Sequence, residues 1–250
     1  MRYFIELSYK GTFYHGWQAQ PKAISIQESL NKALTTIFRK TIDVVGAGRT
    51  DAGVHAEQLF AHVDVSEDFD KNDLVYKLNS LLPSDIVIQN IFATSDKAHA
   101  RFDATSRSYE YRIFLGRNPF LIDTTWQLIN KKLNVDKMNE AAQILLTYTD
   151  FKSFSKTKTD VKTYNCDVRK AVWVQSGGLL TFYITADRFL RNMVRAIVGT
   201  LLDVGLEKIT LEKFREIIES RERCNAGTSA PAKGLFLTQV TYPKTIFIHE

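Results

Sequence analysis

Residues 46–56, with the sequence GAGRTDAGVHA, place Arg49, Asp51 and His55 in a run of glycine and alanine. Glycine lets a backbone turn sharply and approach a ligand closely. An ionised Asp in such a loop could act as a nucleophile or as a general base. Two other interpretations remain open at this point. Asp51 could form an ordinary Asx-type turn with Arg49 in solvent, or Asp51, His55 and His62 could bind a metal, although they match no recognised ligand spacing.

The pattern on either side of this loop predicts the order β-α-β-β-α-β. Strand segments show alternating apolar residues, and Ser25 with Glu28 forms a capping box ahead of an amphipathic helix. Pro83 ends the second helix. The predicted strands are 3–9, 42–45, 59–65 and 86–93, and the predicted helices are 25–38 and 74–81. This order is that of the split βαβ, or ferredoxin-like, unit.

The second part of the chain repeats the order. Ser176-Gly177-Gly178 is a tight hairpin signal between two of its strands. The predicted strands are 109–115, 168–175, 179–186 and 235–242, and the predicted helices are 138–145, about 189–204 and 211–220. We therefore predict an α+β protein of two ferredoxin-like halves, residues 1–104 and 105–250, whose sheets could join into one mixed, mainly antiparallel sheet.

The two predicted halves differ at the loop that carries Asp51. The second half joins its middle strands by a short glycine turn, whereas the first half inserts the eleven residues 46–56. A hairpin does not need that length. Extra loop on a rigid scaffold is where catalytic and binding residues are commonly placed.

Composition narrows the class of protein. Apolar residues make up 44% of the 250 and charged residues 24%, which is typical of a folded protein. Two cysteines are too few for a disulfide framework or a zinc cage and predict reduced thiols in a cytoplasmic protein. We expect neither a signal peptide nor a membrane-spanning segment. The net charge of +5 suits a polyanionic partner without identifying one.

Five segments resemble, in order, the signatures of the TruA family of tRNA pseudouridine synthases. GAGRTDAGVHA resembles the loop that holds that family's catalytic Asp. The other four, YKGTFYHGWQAQP, HARFDATSRSYEYRI, FLRNMVRAIVG and APAKGLFLTQVTYP, are similar to further family segments and span nearly the whole chain. The resemblance implies the pseudouridine synthase fold, with an active-site cleft between the two ferredoxin-like halves.

The resemblance also assigns catalytic roles. Asp51 matches the essential carboxylate, which must be ionised. Arg195 matches the arginine that pairs with it and keeps it charged. Tyr109 matches a tyrosine that packs on the target base and is expected to help handle the C5 proton. Without the match, Tyr109 would be assigned to the core, as Tyr111 is.

Further residues are assigned to substrate binding. Leu235 matches the aliphatic residue that lines the uracil pocket, and Arg49 matches an arginine proposed to help extrude the target nucleotide. Helical projection places Arg188, Arg191 and Arg195 on one stripe, and the first two are expected to contact phosphates or solvent. The remaining candidates for contacts with the tRNA backbone, otherwise read as a solvated basic loop, are Lys152, Lys156, Lys158, Lys162, Arg169 and Lys170.

The resemblance implies isomerisation of uridines 38, 39 and 40 of the tRNA anticodon stem-loop by a homodimer, with no metal, nucleotide or redox cofactor. Ser108, Glu110, Arg191 and Asn192 depart from residues common in the family, which bears on RNA contacts and not on the carboxylate. Two alternatives remain open. One is a non-catalytic RNA-binding protein of two ferredoxin-like repeats, although QLFAHVDV lacks the aromatic signature of RNA-recognition motifs. The other is a metal-dependent hydrolase.

Overall fold

A computed structural model describes residues 1–157 and 161–248 of the chain. In chain order its strands are β1 (Arg2–Tyr9), β2 (Val45–Gly46), β3 (His55–Asp64), β4 (Ile86–Thr94), β5 (Ser106–Leu115), β6 (Trp126–Leu128), β7 (Val168–Ser176), β8 (Leu179–Ala186) and β9 (Leu235–Thr241). Its α-helices are α1 (Ile26–Phe38), α2 (Lys71–Leu81), α3 (Val135–Ile144), α4 (Met193–Gly205) and α5 (Leu211–Ser220). The protein is therefore of the predicted α+β class.

The described residues form two compact units. The first comprises Met1–Ser106 together with the described residues from Phe236 onward, and the second comprises Arg107–Leu235. The final strand groups with the first unit because β9 runs parallel to the start of β3, with Phe236 opposite His55. Among the described residues, no helix is both long enough and apolar enough to cross a bilayer.

The first unit has the strand order β4-β1-β3-β2, and all of these neighbours are antiparallel. This arrangement confirms the predicted ferredoxin-like order. Helix α1 begins where the Ser25 hydroxyl accepts a hydrogen bond from the Glu28 N–H at 3.2 Å, which is the serine half of the predicted capping box. It ends at Phe38, and the next residue, Arg39, has a left-handed φ of 53°.

The two faces of this sheet have different partners. On one face Tyr3 packs against Phe69, which in turn contacts Phe38 of α1, with ring centroids 4.7 and 5.7 Å apart. Side chains alternate along a strand, so the next residue, Phe4, lies on the other face, opposite His62 of β3. Phe4 is fully buried there, against the ring of Tyr242.

The second unit is built on the antiparallel strands β7, β8 and β5, with β6 parallel to β5. The predicted hairpin is confirmed, since only Gly177 and Gly178 separate β7 from β8. Strand β6 has three residues, too few to show an alternation, and was not predicted. On this unit's core side, Tyr111 and Phe182 are fully buried.

Several predicted boundaries were wrong, and three of them concern the segments that carry the candidate site residues. The helix expected from about Phe189 begins at Met193, because Asn192 before it has a φ of 67° and interrupts a continuous helix. Arg188 and Arg191 therefore lie outside α4 and do not share a helical stripe with Arg195. The strand expected at 42–45 is the two-residue strand β2, at Val45–Gly46. Strand β3 was expected to begin at Leu59 and begins at His55, within the glycine-rich segment.

Candidate active site

The glycine-rich loop between β2 and β3 packs closely against residues 9–17. A Cβ added to Gly11 would overlap the main-chain carbonyl of Val54. Gly16 has a φ of +85°, and a Cβ there would overlap the carbonyl oxygen of Thr50. Two backbone segments thus touch at two places where only glycine fits without displacement.

Main-chain hydrogen bonds connect the same two segments. The Trp17 N–H donates to the Thr50 carbonyl at 3.3 Å, and the Gly53 N–H donates to the Tyr14 carbonyl at 3.2 Å. These bonds lie on either side of Asp51, so they fix the backbone that carries it.

Side chains reinforce the attachment. The hydroxyls of Tyr9 and Thr50 are 2.9 Å apart in a buried hydrogen bond. The Tyr14 hydroxyl donates to the Asp85 carboxylate at 2.6 Å, and burial together with this bond raises the pKa of Tyr14. Trp17 is 2% exposed. We call residues 9–17 the brace of the Asp51 loop.

Within the loop, the chain turns at Asp51, whose carbonyl accepts a hydrogen bond from the Val54 N–H at 3.1 Å. Asp51 is partly exposed and Arg49 is exposed, whereas Thr50 between them is buried. The loop therefore anchors through Thr50 and presents its two charged residues away from the core. A partly exposed carboxylate on a fixed backbone is accessible to a substrate.

The two histidines considered as metal ligands each use Nδ1 for a main-chain hydrogen bond. His55 accepts from the Gly11 N–H and His62 accepts from the Ala100 N–H, both at 3.1 Å. Burial is the main cause that lowers the pKa of His62, to about 4. Within residues 1–157 and 161–248 no group of three or more His, Cys, Asp or Glu side chains is arranged to hold a metal ion.

In the second unit, Tyr109 lies on β5 opposite Ile184 of β8. Its ring stands edge-on to that of Phe189, with centroids 5.1 Å apart. Tyr109 is partly exposed, whereas Tyr111 on the same strand is buried and donates its hydroxyl to the Pro231 carbonyl at 2.7 Å. The prediction that Tyr111 belongs to the core is confirmed, and Tyr109 has the accessibility that a substrate contact requires.

Arg195 lies in the first turn of α4 and pairs with Ala230. Its Nε donates to the Ala230 carbonyl at 2.7 Å, and the Ala230 N–H donates back to the Arg195 carbonyl at 2.9 Å. These two bonds hold the start of α4 against residues 226–234, the segment that leads to buried Leu235. The guanidinium is therefore held in one orientation through its Nε.

The basic residues of the second unit are mostly exposed. Lys156 and Arg191 are both exposed, and the Lys156 N–H donates to the Arg191 carbonyl at 3.0 Å, so the two residues are neighbours.

Lys152 lies over the ring of Tyr164 and Lys170 over that of Tyr183. Arg169 pairs with Asp167 at 2.8 Å. Lys162 is exposed, and Lys158 lies outside the described residues.

The brace and the Ala230 pairing were not identified from the sequence. A signal for the brace existed in YKGTFYHGWQ, where Gly11 and Gly16 interrupt an aromatic-rich segment. Glycine at such positions can mark close approach of another backbone. No local pattern indicated that Ala230 would accept from Arg195.

Comparison with known proteins identifies the family of the whole chain. Residues 141–243 match a family described as tRNA pseudouridine synthase. The chain is 54% identical over 248 residues to the tRNA pseudouridine synthase A of Bacteroides fragilis, covering 98% of each chain. It is 50% identical to that of Parabacteroides distasonis, again over 98% of each chain. It is 36% identical to that of Bacillus subtilis, over 97% of this chain and 99% of the relative.

Identity at this level over nearly complete chains is far above what a shared fold alone requires. The matches also span the braced Asp51 loop in the first unit and the Tyr109 and Arg195 segments in the second. The chain belongs to the tRNA pseudouridine synthase family of isomerases.

Proposed function

We propose that this chain converts uridine to pseudouridine at positions 38, 39 and 40 of the tRNA anticodon stem-loop, with Asp51 as the catalytic carboxylate. The observation that carries the proposal is the near-complete match to tRNA pseudouridine synthases A, in a chain whose Asp51 is partly exposed on a braced loop.

The reaction rearranges bonds within one nucleotide. The bond between C1′ and N1 breaks, a bond between C1′ and C5 forms, the C5 proton leaves, and N1 gains a proton. Atoms and electrons balance without an oxidant, a reductant or a second substrate. The Asp51 carboxylate acts by attack on the base, by attack on the sugar, or by removing a sugar proton. Each route requires it ionised and next to the reacting nucleotide.

Two residues of the second unit have roles in the same reaction under this proposal. The Arg195 guanidinium keeps Asp51 charged by charge pairing. Its Nε bond to Ala230 supports this role, because a held guanidinium loses less entropy on pairing than a free one. Tyr109 packs on the freed uracil and helps to handle the C5 proton.

Binding of the tRNA uses further residues. Arg49, exposed beside Asp51, occupies the space left when the target nucleotide is extruded. Leu235 lines the uracil pocket. Arg191, Lys156 and Lys158 contact phosphates, and the exposure of the first two supports that role. We further propose that the chain acts as a homodimer in the cytoplasm and uses no cofactor, as the family resemblance implies.

The direct test is to incubate unmodified tRNA with the protein and map pseudouridine by carbodiimide adducts. Wild type should modify positions 38, 39 and 40, and Asp51→Asn and Asp51→Ala should form no product while remaining folded and tRNA-binding. Asp68→Asn removes the same charge at an exposed site in the same unit and should retain activity. Product from either Asp51 variant would refute the catalytic assignment. Wild-type tRNA binding without product would favour the non-catalytic alternative.

A further inference from the structure

The residues after β4 form a short turn, 98–103, that belongs to the HARFDATSR segment and has no role in the proposed reaction. The turn lies against β3, because the Ala100 N–H donates to Nδ1 of His62 at 3.1 Å. The Tyr242 hydroxyl donates to the Ala100 carbonyl at 2.6 Å. His62 and Tyr242 both lie near Phe4, on the face of the sheet away from α1. The turn therefore lies on that face.

Hydrogen bonds within the turn make it rigid. The His99 N–H donates to the Asp103 carboxylate at 2.7 Å, and the Asp103 N–H donates back to the His99 carbonyl at 3.0 Å. Nδ1 of His99 accepts from the N–H groups of Arg101 and Phe102, at 3.1 and 3.3 Å. The Phe102 backbone is thus held at its own N–H and at its neighbours on both sides.

This rigid turn presents an aromatic ring to solvent. Phe102 is 75% exposed, although the His99 ring lies 4.2 Å from it, centroid to centroid. The Arg101 guanidinium carbon lies 5.7 Å from the centre of the Phe102 ring. A Phe side chain that is three-quarters exposed gains little hydrophobic stabilisation, so a fixed turn that exposes one together with a cation has the composition of a binding surface.

An aromatic ring and a guanidinium side by side match the chemistry of a nucleotide. A ring of this kind stacks on the face of any base, and arginine either stacks with it or neutralises a phosphate. An exposed apolar ring could instead contact a second copy of this chain. The adjoining guanidinium and the chain's net charge of +5 favour a polyanion over a copy that carries the same charge.

The position of the turn separates it from the chemistry. Asp51 precedes His55 at the start of β3, and the turn is attached at His62, seven residues further along that strand. Seven residues of strand span about 23 Å. A nucleotide on the turn is therefore not the uridine beside Asp51.

We propose that Arg101 and Phe102 form a stacking site for an unpaired base of the tRNA other than the base that is isomerised. This inference rests on the proposed function, since it takes tRNA as the ligand. The site contributes affinity and has no part in the chemical step.

The test measures binding of full-length tRNA in the Asp51→Asn background, which separates affinity from turnover. Phe102→Ala should raise the Kd at least about fivefold. Phe102→Trp should keep the Kd of the parent protein, because stacking needs only an aromatic face. Tyr76→Ala, on α2, is the matched control because Tyr76 is 73% exposed in the same unit, and it should leave the Kd unchanged. Arg101→Ala should weaken binding and lower the slope of log Kd against log salt by about one.

With Asp51 restored, Phe102→Ala should leave kcat at saturating tRNA unchanged while raising KM. A Kd for Phe102→Ala equal to that for Tyr76→Ala would overturn the proposal. So would an unchanged Kd together with dissociation of an oligomer in analytical ultracentrifugation, which would identify Phe102 as a protein contact. Because binding is read in a catalytically inactive background, failure of this site leaves the test of Asp51 unaffected. If the wild-type protein formed no pseudouridine, the proposed function would be refuted, and the binding result would still stand.

Discussion

Nδ1 of His55 accepts a hydrogen bond from the main-chain N–H of Gly11 at 3.1 Å, and both groups are buried. A ring nitrogen that accepts a hydrogen bond carries no proton, so Nδ1 of His55 is the unprotonated nitrogen in this bond. The ring also stacks on Phe236, with centroids 4.5 Å apart. His55 thus joins the Asp51 loop to the brace and to β9 within the first unit.

Replacing His55 tests this connection. His55→Leu leaves the Gly11 N–H buried without an acceptor, which should cost about 1–3 kcal/mol of unfolding free energy. It should also lower the single-turnover rate, because the loop loses one of its attachments to the brace, four residues after Asp51. His55→Asn places an amide oxygen near the position of Nδ1 and should recover part of both. Urea unfolding and single-turnover assays measure the two effects. Equal losses in the two variants would show that the acceptor has no role.

The contact between Gly16 and Thr50 supplies a second prediction. Gly16→Ala introduces a methyl group that overlaps the Thr50 carbonyl, at a φ of +85° that side chains disfavour. We expect a loss of about 1–3 kcal/mol in urea unfolding and a slower chemical step. Gly48→Ala, in the Asp51 loop itself but with open space around the added methyl, should change stability by less than about 0.5 kcal/mol. A comparable loss in Gly48→Ala would point to loop flexibility as the cause.

The buried His62 predicts how stability varies with pH. Its pKa is lowered from 6.5 to about 4, chiefly by burial, so between these values the unfolded state binds more protons than the folded state. Stability should therefore fall as the pH drops from 6.5 towards 4 and level off below that. The contribution of this residue should be about 1–3 kcal/mol.

His62→Asn isolates that contribution, because its amide oxygen can still accept from the Ala100 N–H but does not titrate. Its unfolding free energy should vary less between pH 7 and pH 4 than that of wild type in chemical denaturation. His99, whose pKa is also lowered by burial, continues to titrate in both proteins. Parallel curves for variant and wild type would contradict the assignment.

Two tyrosines on β5 should respond in opposite ways to loss of the hydroxyl. Tyr111→Phe removes the donor to the Pro231 carbonyl and should cost about 1–2 kcal/mol of stability, with kcat little changed. Tyr109→Phe keeps the ring packing against Phe189 on a partly exposed residue and should cost less stability than Tyr111→Phe. If its hydroxyl handles the C5 proton, kcat should fall at least about tenfold. Full activity in Tyr109→Phe would limit that residue to packing on the base.

Local patterns predicted most elements because their signals lie within a few residues. The Ser25 cap, the Gly177-Gly178 hairpin and the alternation along β1 each depend on near neighbours. The start of α4 was misplaced because Asn192 adopts a left-handed conformation, which composition does not reveal. Strand β6 was missed because three residues carry no periodicity and form a strand only by pairing with β5.

The sequence by itself determined the family, through five ordered motifs, and with it Asp51, Arg49, Tyr109, Arg195 and Leu235 as the residues to test. Only the tertiary structure decided how these residues are held. The Gly11–His55 bond joins positions 44 residues apart, and the Arg195–Ala230 bond joins positions 35 apart. Contacts of that range depend on the packing of whole elements and leave no local periodicity. The same holds for exposure, which leaves Tyr109 partly exposed and Phe102 in solvent.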